Sequence, residues 1–265
     1  SRISSGIPQP ESTTWMTTTL NLPPAYVLAT HDTIDSAVQE ARRLALQGAE
    51  EGTLVWAKEQ TAGRGRFGRP WVSPHGNLYC ALVLRLEEPA AVAVQVNYVA
   101  AVSLAAAIAG LVSPMVELRY RWPNDILLYD AKVAGILLDA PTRQLDYYDW
   151  LVLGVGVNVT SHPNLDAPAT SLHTDGFSQA SATELLEDFS RYFLSWINRW
   201  ADEGFAPIRK AWMQRANGIG QPLALQLEAE TLKGRFAELD DDGALVMELP
   251  DAGIRRISVA EFFAI

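Results

Sequence analysis

Between Glu88 and Glu117 the chain carries no charged side chain, and within that stretch Ala91–Val112 is almost wholly apolar. A segment of this length and hydropathy must be shielded from water, either by lipid or by the rest of the protein. Much of the run is alanine, and Gln95, Asn97 and Ser103 interrupt it. Acidic residues flank it on both sides, with no Lys/Arg asymmetry to orient a span. The segment is therefore expected to be a long helix buried against a sheet, with no membrane association. Apolar residues make up 48% of the 265-residue chain, ample for such a core.

Around that helix the pattern is α+β. Ile34, Ala37, Ala41 and Leu44 share one face of a predicted helix over 32–47, with Thr33 or Asp35 as its cap. Strands are predicted at 53–58, 77–86, 117–122, 126–129, 132–139 and 150–159, and helices at 182–200 and 204–216. After Gly218-Ile219-Gly220 only short strands remain, with turn signals at Lys233-Gly234 and at Asp240–Gly243. The expected organisation is an unstructured or added leader (1–24), one α+β domain (25–217) and a small β-barrel docked on it (218–265).

Residues 63–71, Gly-Arg-Gly-Arg-Phe-Gly-Arg-Pro-Trp, carry the strongest chemical signal. Glycine permits close backbone approach, and arginine offers a fixed fork of donors matched to phosphate and carboxylate. The spacing of Gly63, Gly65 and Gly68 matches a dinucleotide fingerprint. However, Pro70, Pro74 and Gly76 oppose the helix that must follow it, and no acidic residue sits at the required offset. The Gly-Lys-Ser/Thr ending of a P-loop is also missing. The formal charge is −10, from 31 acidic and 21 basic side chains, which argues against nucleic acid as the partner. A small anionic ligand suits arginines gathered into one loop on an acidic body. Cys80 is the single cysteine, which excludes an internal disulfide and is compatible with a cytoplasmic location. The four histidines show no metal-ligand spacing, so no protein-held metal is expected.

Three further clusters fit the lining of one pocket. Arg121-Trp122-Pro123-Asn124-Asp125 falls between two predicted strands, and the Asn124 amide pairs a donor with an acceptor, as a purine edge requires. Lys132 stands at the mouth of a strand in which Gly135 would let a ligand lie against the backbone. Gly154-Val155-Gly156-Val157-Asn158 ends another apolar strand in an amide. No triad or paired-carboxylate pattern is evident. The set suits positioning and charge stabilisation in phosphoryl or acyl-phosphate chemistry.

Taken in order, Glu59–Arg66 with Gly68, Arg69 and Trp71, Arg121–Asp125, Lys132 with Gly135-Ile136-Leu137, and Gly154–Asn158 closely resemble the biotin–protein ligase family. Ala169-Thr170-Ser171-Leu172 and Asp242-Gly243-Ala244-Leu245 add to the likeness. The resemblance implies a mixed-sheet catalytic domain, related to class II aminoacyl-tRNA synthetases, followed by an SH3-like barrel. It implies an enzyme that forms biotinyl-5′-AMP from biotin and MgATP and passes the acyl group to a lysine of a biotin carboxyl carrier protein. Lys132, Arg64 and Arg66 would be the catalytic residues. Biotin would meet Ser36, Ala37, Val38, Gln60, Gly63, Arg64, Gly65, Arg66, Lys132 and Gly135. ATP or the adenylate would meet Arg66, Trp71, Asn124, Asp125, Lys132 and Asn158, with Mg2+ held mainly by the nucleotide. The family commonly shows Asp-Ser-Thr-Asn before its first helix, whereas this chain has Asp35-Ser36-Ala37-Val38. That departure leaves lipoate, or a related acid, as an alternative substrate. A biotin- or adenylate-binding module without catalysis is a third reading. Bifunctional members add an N-terminal helix-turn-helix domain, too large for about 25 polar residues, so no operator binding is expected. Members of the family are often dimers through a sheet edge or a helix face, and the sequence selects neither mode of homodimer.

Overall fold

A computed structural model describes residues 20–141, 146–251 and 253–265. The first seven strands are β1 (Val27–Ile34), β2 (Thr53–Gln60), β3 (Leu78–Leu84), β4 (Leu118–Arg121), β5 (Asp125–Leu128), β6 (Ala131–Asp139) and β7 (Leu151–Val157). They form one sheet in the order β1-β2-β3-β7-β6-β5-β4. β1 and β2 run parallel, joined by helix α1 (Ala37–Leu46), and the remaining neighbours are antiparallel. The expected mixed sheet is thus present.

Period-two alternation divides the central strands between two cores. On β2, Leu54 and Trp56 enter the larger cluster, whereas Val55 and Ala57 face the smaller one beneath α1. Ala37, Ala41 and Ala45 let α1 lie close to β2, β3 and β7. The other face carries α2 (Ala90–Ala93), α3 (Val96–Leu111), α4 (Ala182–Glu203) and α5 (Ala206–Met213). The charge-free run is therefore two helices in one line. By length and composition Ala90–Leu111 passes for a membrane span, but 83% of its most apolar window is buried inside the protein.

The polar residues that interrupt this run tie it to its neighbours. Asn97 Nδ2–H donates to Pro123 O at 2.7 Å, and Gln95 joins Trp200 Nε1–H to the carbonyl of Asp242. The Tyr98 hydroxyl accepts from Trp122 Nε1–H at 2.7 Å and donates to Gly243 O at 2.6 Å. Each contact satisfies a buried polar group that would otherwise oppose folding.

The second sheet is antiparallel in the order β11-β10-β9-β8, from β8 (Pro222–Gln226), β9 (Thr231–Leu239), β10 (Leu245–Glu248) and β11 (Ile254–Ile257), and α6 (Val259–Phe263) follows it. The four-stranded sheet is the small C-terminal β-structure anticipated from the sequence.

Several readings need correction. Residues 32–34 belong to β1 rather than to the first helix, and Ser36, not Thr33 or Asp35, caps α1 by accepting from Gln39 N. β1 is an edge strand with half-exposed polar positions, so it lacks a hydrophobic signal. Lys233-Gly234 lies within β9, where a Cβ on Gly234 would stand 2.5 Å from the carbonyl oxygen of Glu248. That glycine serves close strand approach, not a turn. Most of the expected leader falls outside the described residues. Leu20 and Leu22, by contrast, pack on the main core, and Asn21 N–H donates to Glu187.

Replacing Tyr98 by Phe removes both hydroxyl contacts at constant shape and strands two buried polar groups. Tyr98→Phe should lower unfolding stability by about 2–4 kcal/mol, read by urea titration. An unchanged midpoint would show that the hydroxyl is not holding these parts together.

Candidate active site

A cavity of about 500 Å³ opens between the seven-stranded sheet and the second sheet. The arginine loop forms one wall. It is a hairpin: Gln60 bridges Ser73, Arg64 bridges Pro70, Trp71 N–H donates to Gly63 O, and Gly65 N–H donates to Arg69 O. Its tip turns at Phe67 and Gly68, both at positive φ. Gly63 is required by the hairpin itself, because a Cβ there would sit 2.4 Å from Ser73 Oγ and 2.6 Å from Trp71 O. It does not line the cavity, in contrast to its expected place against a ligand.

Gln60 and Ser36 meet at the start of α1. The Gln60 carboxamide accepts from Ala37 N–H at 2.7 Å and donates to Ser73 Oγ at 2.9 Å. Ser36 uses an oxygen lone pair as the helix cap, which leaves its O–H as the group that can face a ligand. Ala37 is fully buried in the smaller core. The Val38 side chain fills the space above Gly154, where an added Cβ would lie 2.4 Å from Val38 Cγ2.

Gly135 and Gly156 are direct cross-strand partners on β6 and β7. Together they form a flat bed, and the Trp71 indole lies on it: a Cβ on Gly156 would come within 2.9 Å of the ring and one on Gly135 within 3.3 Å. Gly135 lines the cavity with Trp71 and the Lys132 side chain lying beside it. Lys132 Nζ stands 5.1 Å from the Trp71 ring centroid.

Lys132 also forms an ion pair with Asp125 Oδ1 at 2.6 Å, while Arg121 donates to Asp125 Oδ2 at 2.6 and 3.1 Å. The Asp125 carboxylate is nearly enclosed, and Lys132 and Arg121 are more open. Asn124 Nδ2–H donates to Ile136 O, which fixes the loop before β5 against β6. Asn158 is buried, donates from Nδ2 to Thr170 O, and among the described residues has no hydrogen-bond partner at Oδ1. An unpaired buried acceptor on a cavity wall is a feature that a ligand donor can relieve.

Arg64 borders both this cavity and a second cleft of about 670 Å³. Arg66 reaches the second sheet, donating to Gln226 O at 2.7 Å and Phe262 O at 3.1 Å. Its pKa is pushed down to about 10, first by burial and then by Arg69, with Asp125 opposing, so it stays charged at neutral pH.

The structure thus brings Ser36, Ala37, Val38, Gln60, Arg64, Gly65, Arg66, Trp71, Asn124, Asp125, Lys132, Gly135 and Asn158 to one cavity. Sequence reasoning missed its far wall, formed by Leu223–Gln226 and Phe262. It also left Arg121 without a role, although the residue stands in a quoted motif next to Asp125.

Two family models match. Residues 70–214 fit the biotin/lipoate A/B protein ligase family, and residues 218–264 fit the biotin protein ligase C-terminal domain. The biotin--[acetyl-CoA-carboxylase] ligase of Paracoccus denitrificans is 38% identical over 86% of this chain and 97% of its own length. The chain belongs to the biotin–protein ligase family. A Mycobacterium tuberculosis member with the same ligase name is 32% identical over 82% of this chain and 80% of its own. The Bacillus subtilis bifunctional ligase/repressor BirA is 33% identical over 87% and 72%. Among solved structures, the Aquifex aeolicus biotin protein ligase in complex with biotin and ATP shares the fold, with a TM-score of 0.72, 24% identity and coverage of 89% and 97%.

Gly154→Ala should crowd Val38 and cost about 1–3 kcal/mol of stability. The double substitution Gly154→Ala/Val38→Ala should recover more than half of that in denaturant titrations. Failure of the second change to help would show that Val38 is not the group that excludes a side chain at 154.

Proposed function

We propose that this chain activates biotin with ATP as biotinyl-5′-AMP, releasing pyrophosphate, and transfers the biotinyl group to a lysine of a biotin carboxyl carrier domain. The observation that carries the proposal is the single cavity in which the arginine loop, the Lys132–Asp125–Arg121 cluster and the unpaired Asn158 oxygen converge. The C-terminal family match and the ligase names of the relatives favour biotin over lipoate, and catalysis over mere binding.

In the first step a biotin carboxylate oxygen attacks the α-phosphorus of ATP and pyrophosphate leaves. Two anionic groups must approach each other, so the main task of the protein is to offset their repulsion. Lys132 is the cation for that task. Its exchange from Asp125 to the reacting oxygens would leave Asp125 paired with Arg121. Arg64 and Arg66 would hold the carboxylate and phosphate oxygens. In the second step the acceptor amine attacks the acyl carbon, AMP departs, and the amine loses its proton.

Ser36 O–H and Gln60 stand where the head group would be read, with Ala37 and Val38 supplying apolar contact in place of polar side chains. Asn158 Oδ1 can accept from an exocyclic amine of the base, while Asn124 shapes that end and Trp71 packs beside the nucleotide. Mg2+ would arrive on the ATP phosphates. Asp125 is the carboxylate lining the cavity among the described residues, and it already pairs with two cations, so water and phosphate would supply most metal ligands. Cys80, buried and unpaired, fits a cytoplasmic location.

Biotin-dependent pyrophosphate release should exceed lipoate-dependent release, and biotin should label a carrier domain. Preference for lipoate, or no labelling, would overturn the proposal. Lys132→Ala should slow adenylation about 100-fold or more, as loss of a transition-state charge partner does. Arg66→Gly should speed escape of the adenylate roughly 10- to 150-fold, seen as labelling of bystander lysines.

A further inference from the structure

Arg66 is a residue of the loop that lines the cavity, yet its hydrogen bonds and ring contacts, Phe67 excepted, are with the C-terminal part of the chain. The guanidinium carbon lies 3.6 Å from the centroid of the Phe262 ring and 4.3 Å from that of Phe67. The same group donates to the backbone carbonyls of Gln226 and Phe262. Phe262 is itself fixed, buried and packed edge-on against Trp122 and Phe263. Both Arg66 and Phe262 line the cavity. The loop tip has little else to anchor it: among the described residues, a Cβ on Gly68 would meet nothing within 4 Å, and Phe67 is exposed.

An arginine in a mobile loop loses side-chain entropy each time it grips an anion, and holding it beforehand reduces that cost. Two backbone carbonyls take part of its donor fork, and an aromatic face holds its plane. This leaves the cation charged, oriented and presented at the cavity wall. We infer that Phe262 is a positioning residue for the ligase reaction: with the carbonyls of Gln226 and Phe262 it aligns Arg66 for the acyl-adenylate, making the C-terminal sheet a working part of the anion site. This inference rests on the reading that the cavity forms and holds the adenylate.

The test is a double-mutant cycle over Arg66→Ala and Phe262→Leu, with the escape rate of the adenylate as readout. Phe262→Leu keeps an apolar side chain but removes the aromatic face. It should speed escape about 3- to 30-fold in the wild-type background, the range for a partly desolvated cation–π contact. With Arg66→Ala already present, it should change the rate less than twofold. Phe262→Tyr, which keeps the ring, should restore retention to within about twofold of wild type. In the ligand-free protein the Arg66 side-chain protons should show a ring-current shift that falls in Phe262→Leu, where only the Phe67 ring remains, and is kept in Phe262→Tyr. Equal effects of Phe262→Leu with and without Arg66, or a ring-current shift that Phe262→Leu leaves unchanged, would overturn the positioning role while leaving the ligase reading intact. No adenylate from the wild-type chain with biotin and ATP would overturn that reading, and the role with it.

Discussion

The Tyr98 hydroxyl is the joint on which the architecture turns. It stands on the most deeply buried helix, accepts from Trp122 beside the cavity, and donates to Gly243 in the turn between β9 and β10. A tyrosine is needed because one hydroxyl can both accept and donate. Gly243 is fitted to it: its φ is +90°, and an added Cβ would come within 3.0 Å of the Tyr98 ring. Burial pushes the phenol pKa far above its usual value, so the hydroxyl keeps its proton across the physiological range. The second sheet therefore has a fixed position relative to the first, and the cavity between them has a defined width.

That width gives the arginine loop its meaning. A hairpin with a glycine tip would wander if only its base were tied down. Here its base packs through Trp71 on the Gly135–Gly156 bed, and its tip engages the second sheet through Arg66. Both ends of the loop are thus referenced to parts whose separation the Tyr98 contact sets. A change in any one of them would shift Arg66 or Trp71, even where no atom of the changed residue touches the cavity.

Much of this was legible in sequence for identifiable reasons. The buried helix declared itself through a long charge-free, largely apolar run, and the loop through glycine and arginine alternation. The glycines of β6 and β7 correctly announced close approach to the backbone, but nothing in their spacing could say that the approaching group is the indole of Trp71. β1 was missed because an edge strand with a solvated face has no apolar periodicity. The Leu223–Gln226 wall was missed because it carries ordinary strand residues, and its link to Arg66 spans 160 positions in the chain. Contacts made by backbone carbonyls, as at Gln226 and Phe262, leave no mark on residue type at all.

The electrostatics of the cavity follow from the same arrangement. The chain has ten more acidic than basic side chains, but the cavity wall collects Arg64, Arg66, Arg69, Arg121 and Lys132 against the single carboxylate of Asp125. Pairing one carboxylate with two cations stabilises a partly buried lysine without cancelling the site's positive charge. On the proposed function, movement of Lys132 toward a phosphate would leave Asp125 paired with Arg121. Anionic substrates of the proposed reaction would meet a favourable field at this cavity, on a chain whose net charge of −10 would otherwise oppose their approach.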